Sequence, residues 1–254
     1  MDALVTLYPI WIWAFAFAVA LAAGLIKGIV GFAMPMILIS GLGSVMSPEL
    51  ALAGLILPTL VTNAWQALRQ GGRAAWGSLK RYRVFLLAGF VVMMLSAQLV
   101  PVLPERVLFL LIGVPIVLFA ARNLAGRPLR VGRTLGRRAE ALLGAVAGFF
   151  GGISGIWGPP TVAMLTAQNT EKRDSLRIQG VIYAMGAVAL LGAHIGSGVL
   201  RAQTLPLSLL LVVPAMAGMF AGFYVQDRLN QAQFRRLTLF VLLIAGLNLI
   251  RRGF

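Results

Sequence analysis

The sequence predicts an all-α polytopic membrane protein built as two inverted repeats of about five helical segments each, with broken or re-entrant helices at two Gly/Pro motifs. Three observations carry this: a shortage of charge, long apolar runs, and a motif that occurs twice. Of the 254 residues, 59% are hydrophobic and only 11% charged, and the mean hydropathy is +0.90. A soluble domain carries about 25% charged residues, so lipid must serve as part of the solvent. The runs at 10–26, 84–100 and 237–250 are continuous and do not alternate, which selects helices over a β-barrel.

Apolar stretches and their breakers give ten segments. The first five lie near 10–26, 29–43, 48–68, 84–101 and 107–121. The second five lie near 140–151, 157–168, 175–196, 206–225 and 237–250. Ser47, Pro48 and Glu49 mark the start of the third: Ser caps, Pro fits the first turn, and Glu suits the helix dipole. A helix needs about 20 residues to cross the bilayer. The pairs 10–26/29–43 and 140–151/157–168 are therefore expected to be hairpins of half-helices.

Lys and Arg set the orientation. Residues 69–83 hold Arg69, Arg73, Lys80, Arg81 and Arg83, and the central stretch holds Arg122, Arg127, Arg130, Arg133, Arg137 and Arg138. Both are expected on the cytoplasmic side by the positive-inside rule. With each Gly-rich pair a hairpin, Lys172, Arg173, Arg177, Arg228, Arg235 and Arg236 join them, and Arg106, Arg201, Arg251 and Arg252 lie outside. Seventeen basic residues then face the cytoplasm against four outside. This puts the N-terminus outside and gives the two halves opposite orientations. The organisation expected is a first repeat at 1–122, a basic cytoplasmic linker at 123–138 and a second repeat at 139–254.

The repeat is visible at an offset of 124. Ala23, Gly24, Gly28, Ile29, Gly31 and Pro35 meet Ala147, Gly148, Gly152, Ile153, Gly155 and Pro159, six identities in thirteen positions. Roughly one would arise by chance, and self-similarity of this kind marks a duplicated architecture. A repeat with an odd number of crossings inverts on duplication, in agreement with the charge count. Interrupted helices in matching places of inverted repeats point to a transporter's binding site.

Glycine permits unwound backbone, and proline removes a donor and ends a helix. Exposed amides and half-helix N-termini at such breaks offer positive partial charge to an anion. Close helix packing is the simpler use of such glycines; two equivalent copies favour a site. The candidate residues are Lys27, Gly28, Gly31, Phe32 and Pro35 in the first motif, and Gly152, Ser154, Gly155, Trp157, Gly158 and Pro159 in the second. Thr59 and Asn63 are four apart, as are Gln179 and Tyr183, so each pair shares a helix face. Thr59 maps onto Tyr183 at the same offset. Lys27 is the one cation near a motif. Its expected fate is to snorkel from a segment end, so neutral groups are expected to hold the anion, with Lys27 auxiliary.

The motifs Gly28-Ile29-Val30-Gly31-Phe32-Ala33-Met34-Pro35 and Gly151-Gly152-Ile153-Ser154-Gly155-Ile156-Trp157-Gly158-Pro159-Pro160 resemble the duplicated motif of the TauE/SafE family. These are sulfite and organosulfonate exporters, also called the toluene sulfonate uptake permease family. The resemblance covers essentially the whole chain in length, duplicated layout and an Arg235-Arg236 pair after Phe234. It implies a permease of the bacterial cytoplasmic (inner) membrane for small sulfur-containing anions, with export the expected direction.

Other classes fit poorly. The net charge of +15 sits in short loops as topology signals, so no nucleic acid is expected as a partner. The lipid bilayer, with its anionic headgroups, is the expected partner of these loops. Cys is absent and His194 is the only histidine, so neither a metal site nor a cofactor is expected, and His194 reads as structural. The acids Asp2, Glu49, Glu105, Glu140, Glu171, Asp174 and Asp227 all fall in loops or at segment ends. No deep carboxylate is left to bind a cation or relay protons. With no Gly-x-Ser-x-Gly, no His-Glu-x-x-His and no nucleotide motif, the chain is not expected to be an enzyme. Residues 1–9 lack a basic region ahead of the first apolar run, so no cleaved signal peptide is expected. The sequence leaves open the anion, import versus export, the coupling ion (proton or sodium), the oligomeric state and whether the short segments fully cross or are re-entrant. A non-transporting membrane subunit is the alternative.

Overall fold

The computed structural model describes residues 8–96, 105–127, 136–154, 158–196 and 198–254, which form eleven α-helices and no strand. In chain order these are α1 (Ile10–Val30), α2 (Met34–Leu42), α3 (Pro48–Leu68), α4 (Gly72–Arg81), α5 (Arg83–Ser96) and α6 (Glu105–Leu124). They are followed by α7 (Arg137–Ser154), α8 (Gly158–Ala167), α9 (Lys172–Gly196), α10 (Leu205–Arg228) and α11 (Gln231–Arg252). Within α1, α3, α9, α10 and α11 lie five segments long and apolar enough to cross a membrane.

The ten expected segments are all present as helices, with two corrections. The first pair is not two half-helices: α1 runs for 21 residues, about 30 Å at 1.5 Å per residue, enough to cross alone. The break therefore falls at residues 31–33 and not around Lys27, which lies inside α1. Residues 72–81, expected as loop, form α4. Its apolar and polar residues are segregated on opposite faces, with Trp76 exposed and Lys80 Nζ 5.4 Å from the Trp76 ring centroid.

The helices fall into two compact units, residues up to Arg69 with Gly180–Leu229, and Gln70–Gln179 with Asn230–Phe254. Each draws on both sequence halves. In the first unit α1 packs along α10, and α3 lies against α2 and α10. Glycines set the α1–α10 distance: a Cβ on Gly24 would stand 2.0 Å from the Ala215 oxygen, and one on Gly28 2.3 Å from that of Met219. Gly218 and Gly222 return the favour, with Leu21 and Leu25 oxygens at 2.0 and 2.3 Å. Lipid chains give helices no hydrophobic reason to associate, so close backbone contact must supply it. The start of α3 follows its sequence signal, with Ser47 Oγ accepting from the Leu50 amide at 3.3 Å and Pro48 in the first turn.

In the second unit α7 packs on α5 and α11 on α6, with α8 against α7 and α6. The device is the same. A Cβ on Gly148 would stand 2.0 Å from the Gly89 oxygen, and one on Gly113 2.9 Å from that of Gly246. Gly24 and Gly148, identical partners in the repeat, thus each sit at a close crossing. The buried carboxylate Glu140 opens α7 at its first turn, facing Arg81 at 3.6 Å and the Phe85 amide at 3.4 Å.

Candidate functional site

The first break is shaped by two left-handed residues. Gly31, at φ 93°, ends α1 by donating its amide to the Lys27 carbonyl at 2.7 Å. Ala33, at φ 75°, precedes α2, a conformation that costs an L-residue roughly 1–2 kcal/mol. Pro35 sits in the first turn of α2, where no side chain caps the amides. An uncapped N-terminus inside an apolar unit is an electropositive end.

A polar stripe on α3 faces this break. Thr59, Asn63 and Gln66 recur at helical spacing, with Thr62 beside them, and all are buried. The Lys27 ammonium donates to Asn63 Oδ1. Gln66 Nε2 donates to the Gly31 carbonyl at 3.2 Å, holding the unwound strand. The Thr62 hydroxyl lies 2.6 Å from the Pro58 carbonyl, one turn back in α3, and 3.3 Å from Met34 Sδ at the head of α2. Thr59 Oγ1 is buried with no partner.

Lys27 is only 1% exposed. The snorkelling expected from the sequence does not occur, because the residue lies a full turn inside α1 and its stem is enclosed on all sides. Tyr183 on α9 is also buried, its ring centroid 5.9 Å from Lys27 Nζ. The ion pairs among the described residues are made by Arg69, Arg81, Arg177 and Arg201. Lys27 has an amide oxygen and an aromatic face, and no carboxylate. A buried ammonium without a counter-charge is costly, and a small anion arriving beside it would supply what the fold omits.

Of the expected residues, Lys27, Gly31, Thr59, Asn63 and Tyr183 come together in the first unit, with Phe32 in the break itself and Pro35 in the first turn of α2. Gly28 is turned to another task, the contact with α10. Gln179 lies in the second unit, fully buried and donating to Ser175 Oγ at 3.2 Å. In the second motif Gly152 and Ser154 end α7, while Gly158 opens α8 with Pro159 buried behind it. Gly155 and Trp157 lie outside the described residues. Thr62, Gln66 and Met34 were missed. Thr62 and Gln66 continue the Thr59–Asn63 face at spacings of three and seven, a signal that was available.

A bundle of apolar helices with a long broken span and a buried cation at the break defines a multi-pass helical membrane protein with an internal polar site. The chain matches the sulfite exporter TauE/SafE family over residues 16–249, and it belongs to that family. No curated protein and no solved structure matches it.

Proposed function

We propose that this chain is a secondary carrier, not an enzyme, that exports a small anion such as sulfite or an organosulfonate across the bacterial cytoplasmic membrane. The observation that carries this reading is the enclosed ammonium of Lys27, held by neutral groups beside an uncapped half-helix. An oxyanion there would take hydrogen bonds from Lys27 and from the first amides of α2, with the hydroxyls of Thr59 and Thr62 in reach of the same stripe. Family membership supports the sulfur oxyanion class. Alternating access between two inverted repeats is the mechanism we infer. It is supported by the glycine crossings of α1 with α10 and of α7 with α5, which use the repeat-equivalent Gly24 and Gly148.

In this arrangement the N-terminus is outside and residues 69–83 and 122–138 face the cytoplasm, where their Arg and Lys meet anionic headgroups. Radiolabelled sulfite and sulfonate flux in proteoliposomes tests the function, run with and without an imposed pH or sodium gradient. Saturable flux whose kcat/KM falls about 10–100-fold on Lys27→Gln is the expected result. Absence of flux for every anion tried would favour a non-transporting subunit. Single-Cys labelling tests the orientation on a chain with no native thiol. A cytoplasmic Phe254 would refute the inverted arrangement.

A further inference from the structure

The polar stripe on α3 continues in one direction only. Between Glu49 and Thr59 the helix carries no polar side chain, and residues 51–56 are buried or half-buried. That stretch is about 15 Å long at 1.5 Å per residue. In the other direction Thr59 is followed by Thr62, Asn63 and Gln66, and then by Arg69, which closes α3 in helical conformation at φ −52° and ψ −31°. Arg69 falls on the face of Thr62, seven residues back, and about 9 Å along the axis from Asn63.

The last three polar side chains of the stripe each reach a different element. Asn63 accepts from Lys27 on α1, and Gln66 donates to the Gly31 carbonyl in the break. Arg69 donates to α10, to Gln226 Oε1 at 3.2 Å and to Asp227 Oδ2 at 2.6 Å. Its guanidinium carbon also stands 4.0 Å from the Phe223 ring centroid. Phe223 and Gln226 are buried, as are Lys27, Asn63 and Gln66. The side chains of Arg69 and Asp227, by contrast, are 25% and 41% exposed. Arg69 therefore has buried groups behind it and an open side in front, where the stripe that leads to Lys27 comes to the surface.

A partly exposed ion pair is weak, so its partners can be exchanged. A guanidinium offers parallel donors to any oxyanion that presents two oxygens, a sulfur acid as well as a carboxylate. The Asp227 carboxylate thus holds a place that a free oxyanion fits. The ion pair at the other end of α3, Arg201 with Glu49 at 2.7 Å, is cut off from the stripe by the apolar stretch.

We propose that Arg69 is the first contact of the anion on its way to Lys27, with the Asp227 carboxylate as a built-in competitor. An oxyanion arriving at the cytoplasmic end of α3 takes the guanidinium from Asp227 before it moves inward along the stripe. This rests on the carrier reading above and extends its path to a residue outside the buried site.

The test is radiolabelled sulfite flux into inside-out vesicles, which present the end of α3 to the outer solution. Asp227→Asn and Arg69→Gln break the same ion pair, so a pair that serves only the fold would move KM in the same direction in both. A receptor with a competitor predicts opposite signs. Asp227→Asn should lower KM about two- to fivefold, the strength of a partly exposed pair. Arg69→Gln should raise it about tenfold, the loss of a hydrogen bond to a charged group. Arg69→Lys, which keeps the charge without the fork, should fall between the native chain and Arg69→Gln. If Arg69→Gln does not fold, the sign of the KM change in Asp227→Asn decides alone. Saturable flux that depends on Lys27, with KM unchanged or raised in Asp227→Asn or unchanged in Arg69→Gln, would overturn this inference and leave the carrier reading standing. Absence of saturable flux in the native chain would overturn the carrier reading and this inference with it.

Discussion

At the first break, Lys27, Thr62, Asn63 and Gln66 gather around three non-helical residues. At the matching positions of the second copy the sequence places Gly151, Gly186, Ala187 and Leu190. In the sequence the glycines and the proline recur at the offset of 124, whereas Lys27, Thr62, Asn63 and Gln66 meet no polar residue there. A break in a helix and a site for charge are therefore separate properties. The glycines set how helices approach and where they end; the side chains opposite decide whether the opening carries chemistry.

The largest expected effect falls where the two copies are alike. Gly24→Leu and Gly148→Leu each drive a side chain into a carbonyl oxygen now 2.0 Å from an ideal Cβ position. Both should abolish the folded protein, as read by size-exclusion of the detergent extract. Normal folding of either would break the equivalence of the two crossings.

The next effect falls where the copies differ. Lys27→Gln should lower kcat/KM for anion flux by about 10–100-fold, the loss of one hydrogen bond to a charged group. Ala187→Ser, which adds a hydroxyl at the counterpart of Asn63, should leave it within about twofold. If the two variants behave alike, the asymmetry has no functional meaning. Asn63→Leu and Gln66→Leu rank third, at about 5–10-fold each, since each removes a hydrogen bond at the break but leaves the Lys27 charge in place. A larger loss for Asn63→Leu than for Lys27→Gln would move the weight of binding from the charge to the amide.

The smallest effect sharpens the account of the break itself. Ala33 holds a left-handed conformation, so Ala33→Gly should relieve about 1 kcal/mol and raise the thermal midpoint. A lowered midpoint would mean that the alanine methyl packs well enough to outweigh the strain.

The apolar runs made the ten segments legible, because lipid demands length and hydrophobicity that few other contexts require. Residues 48–68 were placed to the residue, since Ser47, Pro48 and Glu49 act locally. α4 was missed because a short helix with one polar face has no apolar run, and Gly72 and Gly77 read as loop. The position of the first break was missed for a different reason. Gly28 and Gly31 look alike in sequence, but Gly28 makes room for α10 and Gly31 supplies a positive φ. Only the neighbouring helix tells them apart. Thr59, Asn63 and Tyr183, which the structure brings together, were singled out by spacing on one helix face, and Lys27 as the cation beside the first motif. The enclosure of Lys27 was not legible, because burial depends on what α3 and α9 bring to it.

The four glycines between α1 and α10 have a mechanical consequence. Two backbones touching along two turns leave no side-chain cushion to slide on, so these helices behave as one stiff beam. Lys27 is bolted to that beam, one turn before the left-handed residues Gly31 and Ala33. Any bend between α1 and α2 would therefore fall on residues 31–33, where two left-handed residues interrupt the helices, and not between α1 and α10.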